Sequence, residues 1–247
     1  KETQANHVAA WSALLANATK MAVKMVLRRD DDQKITGKRH RFYSKYKIGF
    51  DNQGIIRAYD VELNSDAGYA TDRSMAILER AMFHAENAYY IPNIRIIATA
   101  WKTNLPSNTA FRGFGGPQGM AVIENALDRV ARFLKMDSAE VRYRNFYGHN
   151  DRNQTPYGQI VTQNRLNTVW DKIFIESKYN ERKREIDEFN KNSKNRKRGI
   201  ALTPIKFGIS FTTSFLNQAG ALVLIYKDGS VLVNHGGTEM GQGLHTK

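Results

Sequence analysis

In the run Asn104–Gly119, N-L-P-S-N-T-A-F-R-G-F-G-G-P-Q-G, Arg112, two phenylalanines and three glycines stand directly ahead of Pro117, which opens a long amphipathic stretch. Gly113, Gly115 and Gly116 let the backbone take left-handed angles and approach a ligand closely. Pro117 suits the first turn of a helix, where a missing N–H costs nothing. A glycine-rich turn feeding a helix N-terminus presents unbonded N–H groups and the positive end of the helix dipole, which suits an anion. On spacing alone the same run reads equally as a tight loop between a strand and a helix. A second glycine-rich run, G-G-T-E-M-G-Q-G at Gly236–Gly243, follows a hairpin pattern. Other residues say little singly. Arg80 beside Glu79 reads as an exposed helix arginine, and Phe211 as a strand core residue. Asp30–Asp32 reads as a solvated turn after a strand, since nothing nearby completes a coordination shell.

Composition narrows the chemistry. With 247 residues the chain makes one large domain or two modest ones, and 41% hydrophobic with 11% aromatic residues is a globular composition. The absence of cysteine excludes disulfides and thiolate metal sites, so any iron–sulfur cluster must sit on another chain or segment. No apolar run approaches the roughly 18 residues of a membrane span, and no signal peptide is recognisable. The net charge of +13 is partly local, since Lys178–Arg198 holds nine basic against four acidic residues. No nucleic-acid motif accompanies it, so a basic surface for anions or for a more acidic partner chain is expected, with neither nucleic acid nor membrane as partner. The expected compartment is the cytoplasm.

These residues need elements to position them. Helical spacing predicts a helix over Thr3–Ala22 through Val8, Trp11, Leu14, Leu15 and Ala18, then a strand over Val23–Arg29. Alternation through Phe42, Tyr46, Ile48 and Phe50, the turn Asp51–Gly54 and the return Ile55–Leu63 predict a hairpin within Arg41–Asn64. Ser65–Thr71 reads as a loop, Asp72–Ala88 as a helix with Met75, Leu78, Met82 and Phe83 on its apolar face, and Ile94–Thr103 as a strand. Gln118–Leu134 is strongly amphipathic, Asp137 caps a shorter helix to Asn145, and Leu166–Lys191 is helical. Beyond Gly199, Ile200–Ile205 and Lys206–Thr213 are strand-like, and Gln218–Asn234 is a second hairpin turning at Lys227–Ser230. The expected fold is α+β, with two lobes of mixed β-sheet packed with helices and glycine-rich loops at the lobe interface. The first lobe is 1–189, the charged linker 190–198, and the second lobe 199–247.

Long strings in a fixed order then carry a resemblance. Thr103–Gly119, L-E-R-A-M-F-H at Leu78–His84 and Y-Y-I-P-N-I-R at Tyr89–Arg95 resemble the molybdenum hydroxylases, in particular the xanthine dehydrogenases. So do K-F-G-I-S-F-T at Lys206–Thr212, F-L-N-Q-A-G-A-L at Phe215–Leu222, and H-G-G-T-E-M-G-Q-G-L-H-T-K at His235–Lys247. The resemblance spans nearly the whole chain and is weak in 148–164 and the charged linker. It implies a molybdenum–molybdopterin cofactor with no direct protein ligand to the metal, hydroxylating hypoxanthine and xanthine towards urate with water as oxygen source. Electrons would pass to iron–sulfur clusters and FAD on other domains or subunits, in an enzyme that is a dimer of heteromers.

By matching motif, the resemblance implies that Glu2 and Arg80 hold the purine. A guanidinium there stabilises negative charge that builds up as the reaction proceeds, which is what accelerates it. Phe114 and Phe211 would sandwich the substrate, Thr212 would hydrogen-bond it, and Ala110 would leave room beside the metal. Phe111, Arg112 and Gly113 would meet the cofactor from the first glycine-rich run, and Gly241 and Gln242 from the second. The related aldehyde oxidases replace the Glu2 and Arg80 pair, so the pair favours a purine over an aldehyde, and the alternative is a hydroxylase of an aldehyde or another N-heterocycle. The family's first glycine motif would fall before Lys1, and its general-base glutamate beyond Lys247. The 247 residues alone are therefore expected to be inactive, an excerpt that begins without Met. A reading of a different class is a non-catalytic anion-binding or assembly module, which the charge would also suit.

Overall fold

The computed structural model describes residues 4–208, 210–239, 241 and 243–246. The chain forms two units, Lys1–Phe207 and Gly208–Lys247. The first is α+β. It runs α1 (Gln4–Thr19), α2 (Arg29–Ile35), β1 (Phe42–Phe50), β2 (Ile56–Gly68), α3 (Ser74–Phe83), β3 (Ile94–Lys102), α4 (Gly116–Leu134), α5 (Ser138–Arg144), α6 (Leu166–Glu176) and α7 (Tyr179–Asn192). β1 and β2 form the expected antiparallel hairpin, with Asp51 accepting from the Gln53 and Ile55 N–H groups across the turn. β3 lies parallel to β2, and the return path is made through α3. The buried face is built by strict alternation in β2, where Tyr59, Val61 and Leu63 point inward. Ile123, Leu127 and Val130 of α4 and Leu78 and Ala81 of α3 complete this core.

Several elements differ from expectation. Residues 23–28 form no strand, and Arg29 begins α2 instead, where Asp30, Asp31 and Asp32 sit in the first turn and favour the positive helix end. β2 continues to Gly68 because its last residues pair with β3, so the loop expected from Ser65 starts later. Helix α3 stops at Phe83, and its buried face is rotated from the predicted one. Ser74, Ile77, Leu78, Arg80 and Ala81 are buried while Met75 and Phe83 are exposed, since α3 turns Ile77 and Ala81 towards the start of α4. The helical stretch after Leu166 breaks at Ser177–Lys178, where Lys178 is left-handed. Among the described residues no strand occurs between Ile200 and Thr213. There the Lys206 N–H donates to Asn87 Oδ1 and the Pro204 carbonyl accepts from Asn87 Nδ2, so a side chain replaces a strand ladder.

The second unit contains the expected hairpin, β4 (Ala221–Ile225) antiparallel to β5 (Val231–His235), closed by Asp228 accepting from both the N–H and the hydroxyl of Ser230. Every residue of both strands is exposed.

Candidate functional site

The glycine-rich turn is a run of left-handed backbone, with φ of 98° at Gly113, 50° at Phe114 and 101° at Gly115. The Phe114 N–H closes one tight turn on the Phe111 carbonyl at 2.8 Å, and the Gly116 N–H closes the next on Gly113 at 2.9 Å. Pro117 follows at the first helical turn of α4, as its fixed φ predicts. What requires glycine here is mainly the neighbouring helix. A Cβ at Gly115 would stand 2.0 Å from the Ile77 carbonyl oxygen, and one at Gly119 would stand 2.2 Å from that of Ala81. At Gly116 it would enter the Phe207 ring at 2.7 Å. The start of α4 is thus seated directly on the α3 backbone and on one aromatic side chain.

That seat brings Arg80 to the turn. Arg80 is only 5% exposed, and its guanidinium lies 5.9 Å from the Phe114 ring centre and 5.3 Å from that of Phe207. Burial lowers its pKa, yet a guanidinium remains charged in proteins, so the cation sits in surroundings that screen its field poorly. His84, one turn on, bonds the Arg80 carbonyl through Nδ1 at 2.7 Å and packs its ring 5.0 Å from Phe207. Burial also depresses the His84 pKa, and the Lys206 and Arg80 charges depress it further against the Arg80 bond.

On the other side of the turn Arg112 is exposed, and its carbonyl accepts from Arg39 Nη2 at 2.7 Å. The Arg39 guanidinium also covers the Phe111 ring at 4.3 Å. Ala110 is buried, in a segment tied down by Asn108, which accepts from the Lys38 N–H and donates to the Asp66 carbonyl.

Of the residues marked in the sequence, the first unit brings Arg80 and Phe114 together, with Phe111, Arg112 and Gly113 in the same turn. Phe211 and Thr212 belong to the second unit, where Asn217 clamps the Phe211 main chain by accepting from its N–H and donating to its carbonyl. In the second glycine-rich run the N–H groups of Gly241, Gly243 and Leu244 donate to the Glu239 carboxylate. Burial pushes that carboxyl up, but these backbone bonds together hold its pKa below the usual value. Glu2 and Gln242 lie outside the described residues.

Phe207, Arg39, Lys206 and Glu86 were not legible as site residues. A phenylalanine beside a lysine, or an arginine ahead of a strand, has no spacing that announces a tertiary contact. Among the described residues no group of three His, Cys, Asp or Glu side chains could hold a metal ion, and no helix is long and apolar enough to cross a membrane.

Comparison with known proteins adds to this geometry. Two families, each described as a molybdopterin cofactor-binding domain, match the sequence over residues 1–146 and 172–247. Xanthine dehydrogenase of Dictyostelium discoideum is 48% identical over 247 residues, which is 100% of this chain and 18% of that protein. Xanthine dehydrogenase/oxidase of Rattus norvegicus is 50% identical over the same 247 residues, again with 18% of its length covered. The chain therefore spans under a fifth of the length of these curated relatives. Among solved structures, the aldehyde oxidoreductase of Desulfovibrio desulfuricans superposes with a TM-score of 0.59 at 31% identity, covering 65% of this chain and 17% of that one. The CO dehydrogenase of Oligotropha carboxidovorans shares the fold, with a TM-score of 0.62 at 19% identity over 74% of this chain and 23% of that one.

Proposed function

Because this chain belongs to the molybdopterin cofactor-binding domain family, we propose that it is the cofactor-binding part of a purine-hydroxylating oxidoreductase of the xanthine dehydrogenase kind. The observation that carries the reading is Arg80, a buried cation held over Phe114 at the glycine-rich turn that also bears Arg112. The donor and acceptor set suits an anionic pterin whose ring carries both N–H and carbonyl groups. Arg39 Nη1 and Gln118 Oε1 are buried without hydrogen-bond partners, so a buried donor flanks this turn and a buried acceptor lies within the first turn of α4.

Arg112, Phe111, Gly113 and Arg39 would hold the cofactor, and Gly241 and Gln242 would join them. When bound, the cofactor supplies two-electron oxidation with water as the oxygen source. The chain's own part is electrostatic. Arg80 stabilises negative charge on the purine more as the reaction proceeds than at its start, and poor screening strengthens that effect. Phe114 offers a ring face for the flat substrate. Phe211, Thr212, Ala110 and Glu2 join this site on the strength of their motifs. Iron–sulfur and FAD groups would lie on other parts of the enzyme, a cytoplasmic dimer of heteromers, and 190–198 would link two lobes.

The test is Arg80→Leu in the full-length protein. Xanthine turnover is expected to fall by about 10²–10³-fold, the usual effect of removing one preorganised charge stabiliser, while benzaldehyde turnover stays within a few-fold. Xanthine turnover within a few-fold of the parent would overturn the role given to Arg80. A parent that turns over benzaldehyde and not xanthine would overturn the purine reading and favour the hydroxylation of an aldehyde, a reading supported by the likeness to an aldehyde oxidoreductase.

A further inference from the structure

Glu86 is fully buried at 0% exposure and forms an ion pair with Lys206, whose ammonium also reaches the Tyr157 hydroxyl at 3.2 Å and lies over the Tyr147 and Tyr157 rings. A charge buried so completely needs its partner, and this partner comes from 120 residues further along the chain. Asn87, next in sequence, grips the same distant segment by its main chain, accepting from the Lys206 N–H at 3.1 Å and donating to the Pro204 carbonyl at 2.9 Å. Asn87 also donates to Glu124, which accepts from the Tyr89 hydroxyl at 2.5 Å and from Arg142 Nε at 2.7 Å. A continuous polar network thus fastens residues 204–206 to the segment that follows α3. The next residue is Phe207, whose ring lies across Arg80 and against Gly116.

We propose that Glu86 and Lys206 are positioning residues for Arg80: their ion pair, with Asn87, fixes Phe207 as the outer plate that holds the guanidinium over Phe114. The geometry requires an anchor of this kind. Residues 200–207 lie in no strand, so no ladder of main-chain bonds fixes where the Phe207 ring stands. A cation over a ring is held by attraction that falls off quickly with displacement, so a displaced ring would weaken this hold on Arg80. Preorganisation of the charge is what makes it effective on a reacting substrate.

The inference rests on the function proposed above only in its kinetic arm, so the test has two readouts on the full-length protein. In the first, the rate at which phenylglyoxal modifies Arg80 is followed by peptide mass spectrometry, with buried Arg142 as control. The double variant Glu86→Gln, Lys206→Met removes both charges and leaves neither buried alone. It is expected to raise Arg80 modification about tenfold, the weight of one desolvated cation–π contact, with Arg142 unchanged. Phe207→Leu should do the same. Arg80 modification unchanged within about twofold, or Arg142 rising in step with it, would overturn the proposal.

In the second readout, kcat for xanthine falls in the double variant with KM nearly constant, whereas Lys206→Arg with Glu86 kept retains the parent kcat. When combined with Arg80→Leu, the double variant adds no further loss, because both act through one group. Full additivity would overturn the proposal. A parent protein that does not turn over purines would refute the function proposed above, while the modification readout would still decide the role of Glu86 and Lys206.

Discussion

Two buried arginines in this fold are held in different ways. Arg142 meets the Glu124 carboxylate at 2.7 Å, whereas Arg80 lies over the rings of Phe114 and Phe207. A carboxylate partner neutralises an arginine locally, while an aromatic ring orients the cation through its quadrupole. From sequence, Arg80 looked like a surface residue because Glu79 beside it is polar and the helix offered Met75 and Phe83 as core. The position of α4 decides which side of α3 is inside, and no window around Arg80 contains that information. Two histidines supply a measurable consequence. His40 and His84 are 3% and 4% exposed, and burial lowers both from the ordinary 6.5, although Asp72, Asp66 and a bond to Thr109 oppose the shift at His40. A lowered folded pKa means that the unfolded chain binds more protons. The stabilisation is therefore complete above about pH 6.5 and is lost as pH falls towards the folded values, at about 1.4 kcal/mol per unit of depression. Thermal melts of the full-length protein should drop more steeply between pH 7 and 5 than those of His84→Gln. Parallel slopes would remove His84 from the account.

Helix α4 is the element on which the site depends. Its first turn is fitted to main-chain oxygens of α3, so Gly119→Ala forces two backbones apart. It should destabilise by about 1–3 kcal/mol or more, whereas Gly199→Ala, with nothing within 4 Å, should stay within about 0.5 kcal/mol. Equal denaturation midpoints for the two would mean that the helices are not seated as described. At the other end of the layer, Asp137 caps α5 by accepting from the Ala139 N–H at 2.7 Å, and it also receives the Tyr179 hydroxyl and Lys183 of α7. Asp137→Ala is expected to lower stability by about 1–2 kcal/mol in urea unfolding, and Asp137→Asn by less, because the amide oxygen keeps the cap. The cap, the two hairpin turns and α4 were legible because each is a local rule written in a few residues. The break at Ser177–Lys178 and the extended path of 200–207 were not. The break needs a left-handed lysine that no local pattern marks, and the path needs Asn87 to supply its hydrogen bonds.

At the scale of the whole molecule the two units are unequal in what they bury. The first encloses a continuous core, while β4 and β5 display Leu222, Val223, Ile225 and Val231 at more than half exposure. A lone two-stranded hairpin is marginal in water. A peptide of residues 208–247 should therefore show little β-structure by circular dichroism, and a stable, cooperative melt from it would contradict this account. The family was readable from long motif strings, but the arrangement around Arg80 was not, because it joins residues from 80 to 207 that only the fold brings together. One feature of that arrangement bears on how such proteins diversify. The oxygens that face Gly115 and Gly119 belong to the main chain of Ile77 and Ala81, and every residue type carries the same ones. Side chains of α3 can change through evolution, Arg80 included, without altering the surface that seats the glycine turn. On the function proposed above, choice of substrate and placement of the cofactor loop would be inherited separately, although both are built on the same three turns of helix.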